Sequence, residues 1–345
     1  MRRPYRTGQD HGETPALHRE NTVPPAGGLG PAAGSAPPGY RHDALVYADV
    51  DELVAIAAPW LLDGLASGDA ALIATGPMTA GPLRDAVGND PRVFVVERHA
   101  LYRARTPTAL TAFRRYAEEH APAGRRLRVV GETDYGATPA DWREWQAYEA
   151  VINTALRPWP LWGLCVFDAA LPAPILDSVR QTHPRLVTTS GWTASPDFVD
   201  PATYLRTLPM SSEPLESTPP ALADDDIGDY TGLRRRVRTW LTTVDGPDDV
   251  LEDFLLAVDE MTSNAVRHGT PPAGLRLWAA PGRLVATIRD SGTGLDDPFA
   301  GYGPAHGEDL SAGGMGLWLA RQLCDHVAIR RNDHGVDVRL STSWS

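Results

Sequence analysis

Residues 259–269 read DEMTSNAVRHG, and in a helix a spacing of four puts Glu260, Asn264 and His268 on one face, with Arg267 beside them. A carboxylate, an amide, a guanidinium and an imidazole gathered where a helix stops at Gly269 form a costly inward face unless something polar meets it. The chemistry on offer suits a phosphate-bearing ligand. Asn264 presents a neutral oxygen to a hard cation such as Mg2+, which binds few protein ligands and keeps its waters and phosphates. Glu260, one turn earlier, can position or deprotonate an attacking hydroxyl. Two later segments offer complementary groups. In DSGTG, Asp290 ends an apolar strand and can accept the amino hydrogen of a purine, while Gly292 and Gly294 let the backbone turn and approach a flat ring. In GGMGLWLARQLCD, Gly314, Met315, Gly316 and Leu317 open a helix whose bare amides attract phosphate oxygens. Each segment alone has a plainer use: DSGTG as a turn, GGMG as a helix entry, His268 as a cation at a helix C-terminus.

The elements that must position these groups are legible over residues 229–345. A helix around 231–243 turns Leu233, Val237, Trp240 and Leu241 to one side, and a second, starting near Pro247, carries Val250, Leu251, Phe254, Val258, Met261 and Ala265 inward. GLRLWAA and RLVATIRD form a hairpin about Pro281-Gly282, a helix is expected over 315–325, and GVDVRLSTSW alternates with Val336, Val338 and Leu340 in, Asp337 and Arg339 out. The polar, glycine-rich 295–313 reads as a lid. The outcome is an α/β sandwich, one mixed or antiparallel sheet under helices.

With three segments in this order, the block 229–345 resembles the ATP-binding domain of the GHKL superfamily, whose members include histidine kinases and gyrase, and is most similar to its anti-sigma-factor serine kinase branch. DEMTSNAVRHG corresponds to the N box, DSGTG to the adenine-binding box and GGMGLWLAR to the glycine box. The resemblance implies a Bergerat-type α/β sandwich binding ATP and Mg2+, with Asn264 as the Mg2+ ligand, Glu260 as general base, Asp290 as the adenine contact, and Gly314 and Gly316 as the phosphate cradle. Arg267 and His268 fall at phosphate-contacting positions. It implies as substrate a serine or threonine of a STAS-type anti-sigma antagonist, as partner that antagonist or a sigma factor, and a homodimer. Two alternatives are a module that holds ATP without phosphotransfer and a sensor histidine kinase-like protein. The second needs a phosphoacceptor histidine on a dimerising helical hairpin, and the proline-rich 209–228 is too short for one; His120 and His183 lie outside any such hairpin.

The preceding block, 41–208, alternates apolar runs (DALVYA, AALIATG, RVFVVE, LRVVGE, LWGLCVFDA) with helical spacing over 51–66, 79–87, 107–119, 139–156 and 172–182, which implies a largely parallel sheet with helices on its faces. Residues 41–195 resemble the MEDS family, a DcmR-type sensory domain, through the His42 strand, LLDGLASGD, VVGE, CVFD and QTHP. That resemblance implies a RecA-like fold without a phosphate-binding loop and a small-molecule ligand. Pocket candidates at strand ends, where doubly wound sheets bind ligands, are Tyr47, Glu97, Glu132 and Asp168, with His183 next in order.

Composition sets the outer limits. Of 345 residues none is lysine, so P-loop and Schiff-base chemistry are excluded; the net charge of −12 argues against a nucleic-acid-binding surface. Cys165 and Cys324 have no metal-ligand spacing and read as reduced, buried thiols in apolar surroundings. Neither a signal peptide nor a membrane-spanning run is visible, so a cytoplasmic protein without membrane attachment is expected. Residues 1–40, rich in proline, glycine and alanine, read as a disordered tail, and 209–228 as a linker.

Overall fold

The computed structural model describes residues 39–102, 105–294, 296–303 and 315–344; the expected tail, apart from Gly39 and Tyr40, lies outside them. Among the described residues no helix is long and apolar enough to cross a membrane. The chain builds one mostly parallel sheet and one antiparallel sheet.

The N-terminal sheet takes strands β1 (Arg41–Tyr47), β2 (Ala70–Ala74), β3 (Val93–Val95), β4 (Leu127–Gly131), β5 (Leu161–Asp168), β6 (Arg185–Thr188) and β7 (Gly191–Ala194) in the order β3-β2-β4-β5-β1-β6-β7. All neighbours are parallel except the edge pair β6–β7. Helices α1 (Val50–Ala66), α2 (Pro77–Val87), α4 (Thr106–His120), α5 (Pro139–Ala155) and α6 (Ala173–Thr182) agree with the helical spacing; the short α3 (Arg98–Tyr102) and α7 (Pro201–Thr207) complete the set. β2 and β4 are buried at every residue, which is why they read as continuous apolar runs. The one carboxylate inside β1, Asp43, is 0% exposed and fully engaged: Arg185 donates through Nε and Nη2, and the Trp162 and Trp192 indoles donate to the same group. Arg128 of β4 is likewise held by Asp69 and the Trp60 carbonyl, and lies 4.8 Å from the centre of the Trp162 ring.

The second sheet orders β8 (Leu222–Asp224), β9 (Gly274–Ala280), β10 (Arg283–Asp290), β11 (His326–Asn332) and β12 (Gly335–Ser343) as β11-β12-β10-β9-β8, antiparallel throughout. Its hairpin closes on Pro281-Gly282, with Gly282 at φ +69°. Helices α8 (Tyr230–Leu241), α9 (Asp248–His268) and α10 (Met315–Leu323) cover one face, where Leu233, Val237, Phe254, Val258, Met261 and Leu317 pack on Leu277, Ala286, Ile288 and Leu340.

Two expectations change. Asp337 and Arg339 face the other side of β12, yet both are buried. The segment expected as a linker covers that side: a 3-10 turn, Pro214–Ser217, brings Glu216 to Arg339 and Thr287, Glu213 pairs with Arg283, and Leu222 enters the sheet as β8. Its carboxylates meet Arg283 and also Arg339, which the alternation pattern assigned to solvent, so 209–228 is a strap. The described part of the expected lid, 296–303, is also anchored: Tyr302 is buried among residues of the N-terminal core, against Arg321 at 4.1 Å.

The two sheets meet through a polar seam. Glu144 of α5 accepts from Arg321 of α10 and from the Val327 amide, His326 bonds Asp141, and Arg105 pairs with Asp325. Burial disfavours the Asp141 charge, but hydrogen bonds from His326 and Thr138 outweigh it and hold the carboxyl down at about 2. A cleft of about 400 Å³ runs along this seam, lined by Arg105, Thr138, Asp141, Arg283 and His326.

Phe254 is the largest fully buried side chain of the α9 face. Phe254→Ala is expected to cost about 3–5 kcal/mol of unfolding free energy, read as a lower urea midpoint with unchanged slope. A loss under about 1 kcal/mol would show that α9 does not carry the core of the antiparallel sheet.

Candidate functional site

The last two turns of α9 present Glu260 and Asn264 half-buried, and Arg267 and His268 exposed. Helical spacing makes this face, and its use is unequal along the chain. Asp259 is spent internally: Tyr230 Oη donates to it at 2.5 Å and Arg234 pairs with it at 3.0 Å. That carboxylate, added to burial, pushes the Tyr230 hydroxyl up to about 12. No hydrogen bond or ion pair among the described residues engages the side chains of Glu260, Asn264, Arg267 or His268. Four polar groups are thus held in a row with their bonding capacity free.

Two close approaches bring the other segments to this face. A Cβ on Gly316, at the start of α10, would lie 2.8 Å from Asn264 Nδ2 and 3.1 Å from Glu260 Oε2. A larger residue there would press on the Asn264 and Glu260 side-chain ends. Met315 is half-buried beside it and Leu317 is buried in the core under α9. At the helix end, Gly269 donates to Ala265 and Asn264 carbonyls, and a Cβ there would stand 2.6 Å from Asp290 Cγ. Asp290 Oδ1 accepts from the Gly292 amide at 2.8 Å and the Thr270 amide at 3.3 Å; Oδ2 has no hydrogen bond among the described residues. Gly294, at φ +78°, packs over Val336. The ends of α9 and β10 and the start of α10 are therefore neighbours, as the three motifs require. Gly314 lies outside the described residues, as do Leu295 and 304–313 of the expected lid.

The strand-end candidates of the parallel sheet divide. Tyr47 and Asp168 are register partners at the C-terminal ends of β1 and β5. Burial pushes the Tyr47 hydroxyl up to about 12, and the charges of Glu132 and Asp168 add to this. Glu132 is occupied: its Oε2 accepts from the Gly76 amide and Thr79 Oγ1, both 2.8 Å, at the N-terminus of α2. Arg98 lies 3.5 Å from its other oxygen. Glu97 is exposed and bonds to none of these. His183 must be removed from the group. It ends α6 before β6 begins, so it sits at the opposite end of the strands, with its ring 3.9 Å from that of His42. Cys165 is buried as expected, but beside Glu149 and His42 rather than in apolar surroundings.

The seam residues Asp141, Glu144, Arg321 and His326 were missed by sequence reasoning, because each looks like an ordinary surface charge on its own element. Asp141, in the first turn of the 139–156 helix, closes a capping box with Thr138 while bonding His326.

Comparison with known proteins finds relatives for both blocks of the chain. A model of the MEthanogen/methylotroph, DcmR Sensory domain covers residues 41–184, and one of the Histidine kinase-like ATPase domain covers 224–342. The serine-protein kinase RsbW of Bacillus licheniformis is 33% identical over 125 residues, 33% of this chain and 78% of the relative. RsbW of Bacillus subtilis (strain 168) is 33% identical over 104 residues, 27% of this chain and 64% of the relative. A crystal structure of the RsbU and RsbW domains of a Mycobacterium tuberculosis protein aligns at 21% identity and a TM-score of 0.27, over 36% of this chain and 32% of that one. The chain belongs to the family of the serine-protein kinase RsbW, an anti-sigma-factor-type regulatory kinase with a histidine kinase-like ATPase domain, here preceded by a DcmR-type sensory domain.

Proposed function

We propose that ATP and Mg2+ bind where α9, the end of β10 and the start of α10 meet, and that the γ-phosphoryl group passes to a serine or threonine of a STAS-type anti-sigma antagonist. The observation that carries this is the pair Asn264 and Glu260, unpartnered among the described residues and lying against the start of α10 at Gly316. The residues fit the cofactor. Asn264 would hold Mg2+ through its amide oxygen, and Asp290 Oδ2 would accept from the adenine amino group. Gly292 and Gly294 would allow the base to approach, and Gly314, Met315, Gly316 and Leu317 would line the phosphates. Bound there, Mg2+-ATP supplies an electrophilic phosphoryl group whose charge the ion shares. Glu260 orients the acceptor hydroxyl and takes its proton, while Arg267 and His268 meet developing phosphate charge from solvent.

The sensory block would control this site through the seam. Tyr302, eight residues past Gly294, is buried in the N-terminal core and stacked on Arg321 of α10, while Glu144 holds that same arginine. A small molecule bound at the Tyr47, Glu132 and Asp168 end of the parallel sheet, displacing Glu132 from the Gly76 amide and the Thr79 hydroxyl, would reach α10 through α5. A sigma factor is the second partner, released or held according to nucleotide state. A reading without phosphotransfer uses the same pocket, and Glu260 separates the two.

Titration of a fluorescent ATP analogue with Mg2+ is expected to saturate, and Asn264→Ala to abolish it in a folded chain. Glu260→Ala should keep binding within about threefold while lowering phosphate transfer to STAS-domain proteins of the same organism by at least about 100-fold. Absence of nucleotide binding by the folded wild type sinks the proposal; transfer that survives Glu260→Ala sinks the base assignment. For the coupling, Glu144→Gln combined with Tyr302→Ala should change nucleotide affinity about 5-fold or more. An unchanged affinity would mean that the seam is only a scaffold.

A further inference from the structure

Far from the nucleotide site, His42 of β1, Glu149 of α5, Cys165 of β5 and His183 at the end of α6 converge in the core of the N-terminal domain. They are 4%, 0%, 7% and 0% exposed, and one ligand atom from each lies within 4.8 Å of all the others. His42 Nε2 is 3.3 Å from Cys165 Sγ and 3.3 Å from Glu149 Oε2. Glu149 Oε2 is in turn 3.6 Å from His183 Nε2 and 3.8 Å from Cys165 Sγ. These four residues come from four separate elements, which no local spacing rule would join.

The surroundings fix which atoms face inward. His183 Nδ1 is 2.9 Å from the Val179 carbonyl, which can only accept, so Nδ1 carries the proton and Nε2 a lone pair. The Asn153 amide nitrogen donates to the Glu149, Ala150 and Thr182 carbonyls, so its oxygen faces His42 Nδ1 at 3.1 Å and accepts there. His42 Nε2 is then also a lone pair. Thr133 donates to Glu149 Oε1, leaving Oε2 directed at the cluster. Two imidazole lone pairs, a carboxylate oxygen and a sulfur share one small space, with only the thiol and carboxyl able to bring protons. His183 Nε2 has no hydrogen-bond partner at all among the described residues. That is the group a buried network should not leave orphaned.

We propose that His42 Nε2, His183 Nε2, Glu149 Oε2 and Cys165 Sγ are the four ligands of a structural, tetrahedral divalent metal ion of the zinc class. The four separations given above agree, since bonds of about 2.0–2.3 Å at tetrahedral angles put ligand atoms about 3.3–3.8 Å apart, and the other two pairs lie within 4.8 Å. The charge also closes, since a dication balances one thiolate and one carboxylate beside two neutral imidazoles. Uptake releases the thiol proton, and the carboxyl proton where Glu149 carries one. Burial favours the neutral imidazoles that ligation needs, lowering His183 to about 3 and His42 to about 4. It works against the ionised thiol and carboxyl, which a cation would reverse. Each imidazole has its far nitrogen engaged, as metal-bound histidines do. A sulfur ligand disfavours Mg2+ and Ca2+, and the absence of a water-facing side makes the site structural rather than catalytic.

The full chain, produced in minimal medium supplied with Co2+ or Zn2+ and purified without a metal-affinity tag, tests this. One bound ion per chain is expected, with a thiolate-to-cobalt charge-transfer band in the Co2+ form. Removal of the ion by chelator should lower Tm by about 5 °C or more. Cys324 is the other thiol, so Cys324→Ser must keep the band and Cys165→Ser must lose it. His183→Gln should weaken Co2+ binding by at least about 10-fold. A folded wild-type chain that carries well under one equivalent of either metal and shows no such band overturns the site, whatever the variants do. A band that survives Cys165→Ser overturns it as well, and the four residues are then a protonated hydrogen-bond network.

Discussion

At Gly316 the start of α10 lies directly against the polar face of α9. A single Cβ would enter within 2.8 Å of the Asn264 amide and 3.1 Å of the Glu260 carboxylate. Everything proposed for the nucleotide depends on that approach, because phosphate-binding amides and a metal-binding oxygen must serve one ligand at once. The same economy recurs at the far end of the pocket. Gly269 stops α9 where a Cβ would strike Asp290, and Gly335 turns where a Cβ would meet the Asp290 carbonyl at 2.0 Å. Glycines in these segments act as spacers between chemistry-bearing residues, more than as sources of flexibility.

A second constraint joins the two halves. Arg321 has its guanidinium over the Tyr302 ring, one nitrogen near Glu144, and the same nitrogen on the Val327 carbonyl. A buried cation with several partners strongly resists losing any one of them, because the remainder would be left undersatisfied. Movement of α5 must therefore be met by α10, or the arginine is stranded. The two helices are thereby mechanically joined, which is what the proposed control of the nucleotide site would require.

The sequence made the apolar architecture legible because its periods are strong. The five main helices of the first block, the hairpin at Pro281-Gly282 and the inward faces of α8 and α9 follow from spacing alone. The start of α10 lies against Asn264 and Glu260, and the end of α9 against Asp290. What was hidden is polar and long-range. Arg339 and Asp337 alternate as surface residues would, and nothing local says that Glu216 comes back to cover them. His183 follows a helix and precedes a strand, so its place in order resembled that of the other strand-end candidates. Only the parallel crossover puts it at the other end of the sheet, against His42.

The absence of lysine gives these buried charges a common logic. Every permanent cation in this chain is a guanidinium, wide, planar and best satisfied in a fork or against a ring. Asp43 and Asp69 have such partners, in Arg185 and Arg128, and both pairs sit beside Trp162. Glu144 has Arg321 on Tyr302. Glu149, with no exposure at all, has none: its neighbours are two imidazoles, a thiol and a threonine hydroxyl. Those groups are chemically suited to a single compact ion. The carboxylate that differs from the other buried acids of the parallel-sheet domain is thus the one surrounded by groups that can share a metal charge, and it lies on the helix, α5, whose first turns hold the seam to the kinase domain.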